Sequence, residues 1–265
     1  MASSFNARDA AAYDRSMGRW SRRLAPLLIG FGGLEPGDRV IDVGCGTGSL
    51  VNVLATHPVA SIQAIDASAI YVAALATSLS DPRIQVRQAD ACALPFPVDS
   101  FDRAFCQLVL QFVSEPAAAM TEMHRVVRPG GIVAAAVWNS GGGMPHQRMF
   151  WDIAAMLDPA AVEIRGETFS RFGTSRGELR ATFEAAGLVE VEESHATIWM
   201  EFQDFEDYWG PIMGGEGTLG RYATSLDAEA ATRLSRHLRE AFVSGGPDGP
   251  RAFACTALVC RGRVR

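Results

Sequence analysis

At 265 residues, 48% apolar and 20% charged, the chain has the length and apolar content to bury one substantial core. A net charge of -6, with no block of like charges, gives no global attraction to phosphate backbones, so nucleic acid is not the expected substrate. The polar N-terminus lacks the apolar core of a secretion signal, and no apolar run approaches bilayer length, so a cytoplasmic chain with no membrane partner is expected. Five cysteines (Cys45, Cys92, Cys106, Cys255, Cys260) form no CxxC pair and have no histidine at metal-ligand spacing, which reads as free thiols and no metal.

In chain order, residues 1–34 are expected to form N-terminal lid helices. Short apolar runs then alternate with amphipathic segments, the pattern of βαβ units winding a parallel sheet. Runs 39–43, 61–66, 84–88, 103–107 and 132–138 are bounded by Gly, Pro or Asp and read as buried strands. Segments 48–56, 68–79 and 115–127 between them read as helices. The third is expected to stop at Arg128-Pro129-Gly130-Gly131, a tight turn in which Pro cannot continue the helix and Gly supplies a left-handed cap. Farther on, 175–186 reads as a helix capped by Gly187, and 189–199 and 252–260 as strands. The fold class is therefore α/β: a Rossmann-like, seven-stranded, mostly parallel sheet flanked by helices, in a single domain. Residues 35–138 form its binding core. Segments 139–174 and 200–250 fit no βαβ unit, and loops of that length in a compact domain are usually lids or substrate-binding elements. They are expected to build a helical or loop cap over the carboxyl edge, where open α/β sheets bind ligands.

The strongest chemical signal is VIDVGCGTG, Val40 to Gly48, a buried strand running into a glycine-rich turn and then a helix. Glycines at 44, 46 and 48 let the backbone curl against a ligand. A dinucleotide fingerprint would need its third glycine where Ser49 stands, so a nicotinamide cofactor is disfavoured. Asp42 lies two residues before the first glycine, where a carboxylate repels a pyrophosphate and accepts hydrogen bonds from an ammonium group or a water; S-adenosylmethionine carries that ammonium. Asp66 ends the second strand, 18 residues after Gly48, placed to take ribose hydroxyls. Asp90 ends the third, where a carboxylate can accept an adenine amino group.

These residues resemble the class I S-adenosylmethionine-dependent methyltransferases, in particular the branch of ubiquinone and menaquinone biosynthesis. VIDVGCGTG is similar to that family's first motif and AIDAS to its second. QADACALPFPVDSFDRAFCQLVLQFV is similar to its adenine-binding and fourth-strand motifs, and EMHRVVRPGG to the segment before strand five. The resemblance covers residues 36–138. It implies that Gly44, Cys45, Gly46 and Gly48 wrap the methionine and ribose portions of the cofactor, and that Asp66, beside Ala67, holds the ribose. It further implies that Asp90 and the Ala91 amide read adenine and that Gln107 faces the methionine moiety. YDRSMGRWSR looks like a segment that folds over the cofactor in a subset of the family. Tyr13 would then shield the sulfonium and Arg19 would pair with the methionine carboxylate.

A sulfonium is an eager methyl donor, so the enzyme mainly aligns nucleophile, methyl carbon and sulfur. A base is needed only if the nucleophile holds its proton well above neutral pH. His146, following strand five, is the best-placed candidate; His195, His57 and His124 lie away from the expected pocket. Aromatic and Met residues in the second cap segment suit a hydrophobic pocket, with Trp138, Tyr208, Trp209 and Met213 as its expected walls. An apolar or aromatic small metabolite is therefore the expected substrate. A protein of this fold that binds S-adenosylmethionine without transferring methyl remains open, and nothing sets an oligomeric state.

Overall fold

A computed structural model describes residues 9–265, so the first eight residues of the expected N-terminal lid lie outside the described part. Seven strands, β1 (Arg39–Val43), β2 (Ser61–Asp66), β3 (Ile84–Gln88), β4 (Phe101–Gln107), β5 (Val127–Trp138), β6 (Val189–Phe202) and β7 (Arg251–Arg263), form one sheet in the order β3-β2-β1-β4-β5-β7-β6. The first five strands run parallel, and β7 inserts antiparallel between β5 and β6. From β1 the chain winds outward to β2 and β3, then returns to place β4 on the other side of β1. That reversal opens a crevice at the carboxyl ends of β1 and β4.

Helices α1 (Ala10–Tyr13) and α2 (Arg19–Phe31) flank a wide turn, Asp14–Gly18; α3 (Val51–Leu54), α4 (Ala69–Ser78), α5 (Pro116–Val126) and α8 (Glu178–Ala185) accompany the sheet. Local chemistry sets their ends. The Ser68 hydroxyl accepts the Tyr71 amide at the start of α4, and Pro116 opens α5, where its missing N–H costs nothing. Alternation along each strand divides the core between two faces. Val40 and Phe105 join Leu24, Leu28 and Trp20 on one face, while Ile41, Val43 and Cys106 join Met120, Met123 and Phe183 on the other. The same alternation turns Asp42 and Gln107 toward the α2 face.

Several expected boundaries move. Only 51–54 of the segment 48–56 is helical, because Gly48 keeps φ at +92° and the glycine turn runs on past it. The 128–131 turn is instead the irregular start of β5. Val127 pairs with Phe101 before a register shift, and the Gly130 amide donates to Val264 O. Gly130 does hold the left-handed backbone, at φ +80°, but β7 extends far enough to keep the segment paired. Met200–Phe202, assigned above to the cap, complete β6. The rest of the cap is helical: α6 (Pro145–Leu157), α7 (Ala160–Phe169), α9 (Phe205–Met213), α10 (Gly217–Ser225) and α11 (Ala228–Val243). α2 is no lid. Leu24, Ala25 and Leu28 are fully buried against the sheet, and of α2 its first turn, with Arg19 and Trp20, reaches the cap cavity.

Candidate functional site

The crevice holds a cleft of about 350 Å3, walled by the glycine loop, the ends of β2 and β3, and the chain after β4. Gly44 and Cys45 both donate their amides to Ile65 O at 2.8 Å, which folds the loop across the end of β2. Gly44 has φ +83° and its missing side chain leaves room for Val109, so any Cβ there would collide with it. Gly46, at φ +52°, faces open space instead. Asp66 closes the loop from the other side: its two carboxylate oxygens accept the Gly46 amide at 2.9 Å and the Ser68 amide at 2.8 Å. Burial leaves the Asp66 pKa raised, although those two hydrogen bonds oppose the shift. Asp90 borders the same cleft with Ala67 and Ala91, and its carboxylate accepts the Cys92 amide at 2.9 Å.

Beneath the loop, Asp42 is 1% exposed, and neither of its carboxylate oxygens has a hydrogen-bond partner among the described residues. Burial, with the Asp66 carboxylate nearby, pushes its pKa up from 3.8 to about 8. Asp42 shares a small cavity of about 20 Å3 with Tyr13, Cys45 and Gln107. Gln107 donates through Nε2 to Ser21 O at 3.0 Å and leaves its Oε1 unpartnered among the described residues. Burial, with Asp42 and Asp66 nearby, raises the Cys45 thiol, which is therefore inert packing rather than a nucleophile. Gly48 does not line the cleft; it makes room for the Leu75 side chain.

A second cavity, of about 150 Å3, lies between the cap and the cleft and is lined by Trp20, Trp138, His146, Phe202, Tyr208 and Ile212, among others. Tyr13, Leu108 and Phe112 wall both spaces. Leu108, directly after β4, is held at φ +62°, a strained setting for a branched-chain residue, with its amide on Ala136 O at 2.7 Å.

The expected site residues therefore divide. Tyr13, Gly44, Gly46, Asp66, Ala67, Asp90, Ala91 and Gln107 converge on the cleft, with Asp42 and Cys45 just beneath. Arg19 does not: its guanidinium is tied to the Asp207 carboxylate at 2.7 Å and to Asp207 O, and it lines the cap cavity. Trp138 and Tyr208 line that cavity, whereas Trp209 stacks on Phe205 and Met213 is exposed; neither lines it. Tyr71, Val109 and Phe112 were missed, as was Arg171 in the cap, since no local spacing marks them.

His146 is not a loop residue. It sits in the first turn of α6, and burial lowers its pKa to about 4. Its Nδ1 lies 3.4 Å from Cys255 Sγ. The ring is neutral at physiological pH and a weak proton acceptor, which corrects the expected general base. Burial lifts the Tyr208 hydroxyl far above its ordinary range, and all 24 basic residues are arginines, so no lysine amine is available.

A methyltransferase-domain family model matches residues 41–135. The chain is 34% identical over 178 residues to 2-methyl-6-phytyl-1,4-hydroquinone methyltransferase of Synechocystis, covering 63% of this chain and 52% of that protein. This chain thus spans about half the length of that relative. Over 250 residues it is 31% identical to an uncharacterised protein of Mycobacterium tuberculosis, covering 91% of this chain and 87% of the relative. In fold it resembles phosphoethanolamine N-methyltransferase 2 of Haemonchus contortus, solved with S-adenosyl-L-methionine, at a TM-score of 0.59 and 16% identity, covering 97% of this chain and 57% of that one. With the ordered motifs on the sheet edge that this fold uses for its cofactor, the chain belongs to the class I S-adenosylmethionine-dependent methyltransferases.

Proposed function

We propose that the protein moves the methyl group of S-adenosylmethionine to an oxygen, nitrogen or carbon nucleophile of a small apolar or aromatic metabolite. The observation that carries this reading is contiguity: the cleft with the glycine loop, Asp66 and Asp90 shares Tyr13, Leu108 and Phe112 with the aromatic-rich cap cavity. A molecule in one space meets a molecule in the other across those three side chains.

The residues present fit the cofactor. Asp42 offers a buried, partnerless carboxylate to an ammonium, and Gly46 leaves open the volume that a side chain would take. Asp66 suits the ribose hydroxyls, Asp90 and the Ala91 amide the adenine, and Gln107 Oε1 the methionine end. When bound, the cofactor supplies an electrophilic methyl group on a sulfonium. This chain's part is alignment and water exclusion, and orientation of this kind contributes about 7–11 kcal/mol to barrier lowering. The Tyr13 hydroxyl, held at about 12 mainly by burial, stays protonated and uncharged beside the cleft. Among the described residues of the cap cavity, the His146 ring is a weak proton acceptor and the Glu216 carboxylate already accepts the Asp9 amide, so the protein suits nucleophiles that are ionised or unprotonated at neutral pH.

In this reading residues 35–138 are the cofactor unit. The chain from Asp9 to the Asp14–Gly18 turn is a strap, and segments 139–174 and 203–250 are the substrate cap. We assign the protein to the cytoplasm; among the described residues no helix is long and apolar enough to cross a membrane. The test is incubation with methyl-labelled cofactor and a fractionated metabolite extract, alongside titration calorimetry with S-adenosylmethionine. Label in an apolar small molecule, with cofactor bound, is the expected result. Tight cofactor binding with no labelled product from any fraction would overturn methyl transfer in favour of a non-transferring binder.

A further inference from the structure

We infer that the molecule taken by the cap cavity carries an anionic oxygen group, a carboxylate or a phosphate, held by the Arg171 guanidinium with the Trp138 indole N–H as a second donor. This rests on the cap cavity being the substrate site. Arg171 follows α7 and lines the cavity, with its guanidinium carbon 5.5 Å from the ring centre of Phe112, one of the residues shared with the cleft. Its Nη2 donates to Thr218 Oγ1 at 2.9 Å. Its backbone is pinned as well, since Arg171 O accepts both the amide and the hydroxyl of Thr174.

Among the described residues Arg171 has no carboxylate within ion-pairing distance, unlike its neighbours Arg148 and Arg165, which both reach Asp152. Its environment disfavours the bare charge: burial lowers the pKa, the nearby Arg221 guanidinium lowers it further, and only Glu167 acts in the other direction. A half-buried guanidinium beside a second cation and without an ion-pair partner is stabilised by an anion, and its planar fork suits two oxygens at once. Trp138 supplies an independent observation. It lines the same cavity at 3% exposure, and its Nε1 has no hydrogen-bond partner among the described residues. A buried donor of that kind calls for an acceptor atom. The wall is mixed, with Phe202, Tyr208 and Ile212 beside polar groups. Of its charged groups Arg19 is held by Asp207 and the Glu216 carboxylate accepts the Asp9 amide at 2.7 Å, which leaves the Arg171 guanidinium and the Trp138 N–H as the donors for a largely apolar body with a charged oxygen group. Such a ligand also needs little from the weakly basic His146.

The test is calorimetric binding to the protein saturated with S-adenosylhomocysteine, using 2-naphthoate, 2-naphthyl phosphate and the neutral 2-naphthalenemethanol as probes. We expect at least one anion to bind about tenfold or more tighter than the alcohol, the scale of a hydrogen bond to a charged group. The tighter of the two anions identifies the headgroup. The preference should collapse in Arg171→Met, persist in part in Arg171→Lys, and weaken with added salt, while S-adenosylhomocysteine affinity stays at the wild-type value in both variants. Equal binding of the three probes by the wild type, or a preference surviving Arg171→Met, would overturn the inference. Because no turnover is measured, failure of methyl transfer and failure of anion recognition are read separately.

Discussion

Asp42 is a buried carboxylate that the cofactor-free protein pays to keep, and replacing it with asparagine should expose the cost. Its pKa rises from 3.8 to about 8 in the folded chain, so between those values the native state binds a proton that the unfolded state has released. Stability must therefore fall as pH rises from about 4 to about 8, and the penalty is complete above that range. A displacement of about four units corresponds to roughly 5 kcal/mol at its fullest, and relaxation around the charge reduces it, so a difference of about 2–5 kcal/mol is expected. Asp42→Asn mimics the protonated form in the same volume. In urea denaturation without cofactor it should exceed the wild type by only a part of that amount near pH 5 and by all of it at pH 9.

The same linkage predicts proton release on cofactor binding, because an ammonium beside Asp42 needs the carboxylate ionised. With a pKa of about 8, roughly nine tenths of a proton should leave at pH 7 and about one tenth at pH 9. Calorimetry in buffers of different ionisation enthalpy measures this directly. Asp42→Asn should release none and bind more weakly. A wild type whose stability does not fall between pH 5 and 9, or whose binding enthalpy ignores the buffer, would refute the reasoning.

Asp66→Ala should weaken cofactor binding by about 1.5–3 kcal/mol in titration calorimetry, the range for a hydrogen bond to a charged group; unchanged affinity would remove Asp66 from the site. Gly44→Ala and Gly46→Ala should separate folding from binding. The first forces a Cβ onto Val109 and should lower the melting temperature more, whereas the second faces open space and should mainly cost cofactor affinity. Trp209→Ala should leave turnover near the wild-type rate, since the ring stacks on Phe205 outside the cavity. Tyr208→Phe, which removes a 3.1 Å hydrogen bond to His146 O, should cost about 0.5–1.5 kcal/mol in denaturant unfolding.

The strands that the sequence delimits best are β1, β2 and β3, where short apolar runs are closed by Gly, Asp or polar residues and every neighbouring strand runs parallel, β3 at the edge having β2 alone. β5 and β7 are longer than their apolar runs. Their outer residues are kept in the sheet by partners more than a hundred positions away, as the Gly130 amide is by Val264 O. Hydrophobic period cannot register such pairing, because the residues it orders are Arg, Pro and Gly. The glycine turn illustrates the opposite limit. Its spacing is written locally, yet Gly48 at φ +92° delays α3, so the motif was easier to read than the helix that follows it.

Within the site, legibility follows whether a role belongs to the backbone or to side-chain direction. Glycines and strand-end aspartates are positioned by the path of the chain, which is why Gly44, Gly46, Asp66 and Asp90 come together where their spacing puts them. Cap residues are positioned by packing. Tyr208 and Trp209 are neighbours of like character, and their fates differ because Phe202 and Phe242 draw one ring of α9 inward while the other stacks on Phe205. Arg19 is bound to Asp207, 188 positions away, an ion pair that no local pattern announces. Arg171 escaped notice for the converse reason. Its meaning lies in having, among the described residues, no carboxylate within ion-pairing distance, in a cavity assembled from α6, α9, α10 and the chain after β4, so it becomes visible only once every neighbouring charge has been placed.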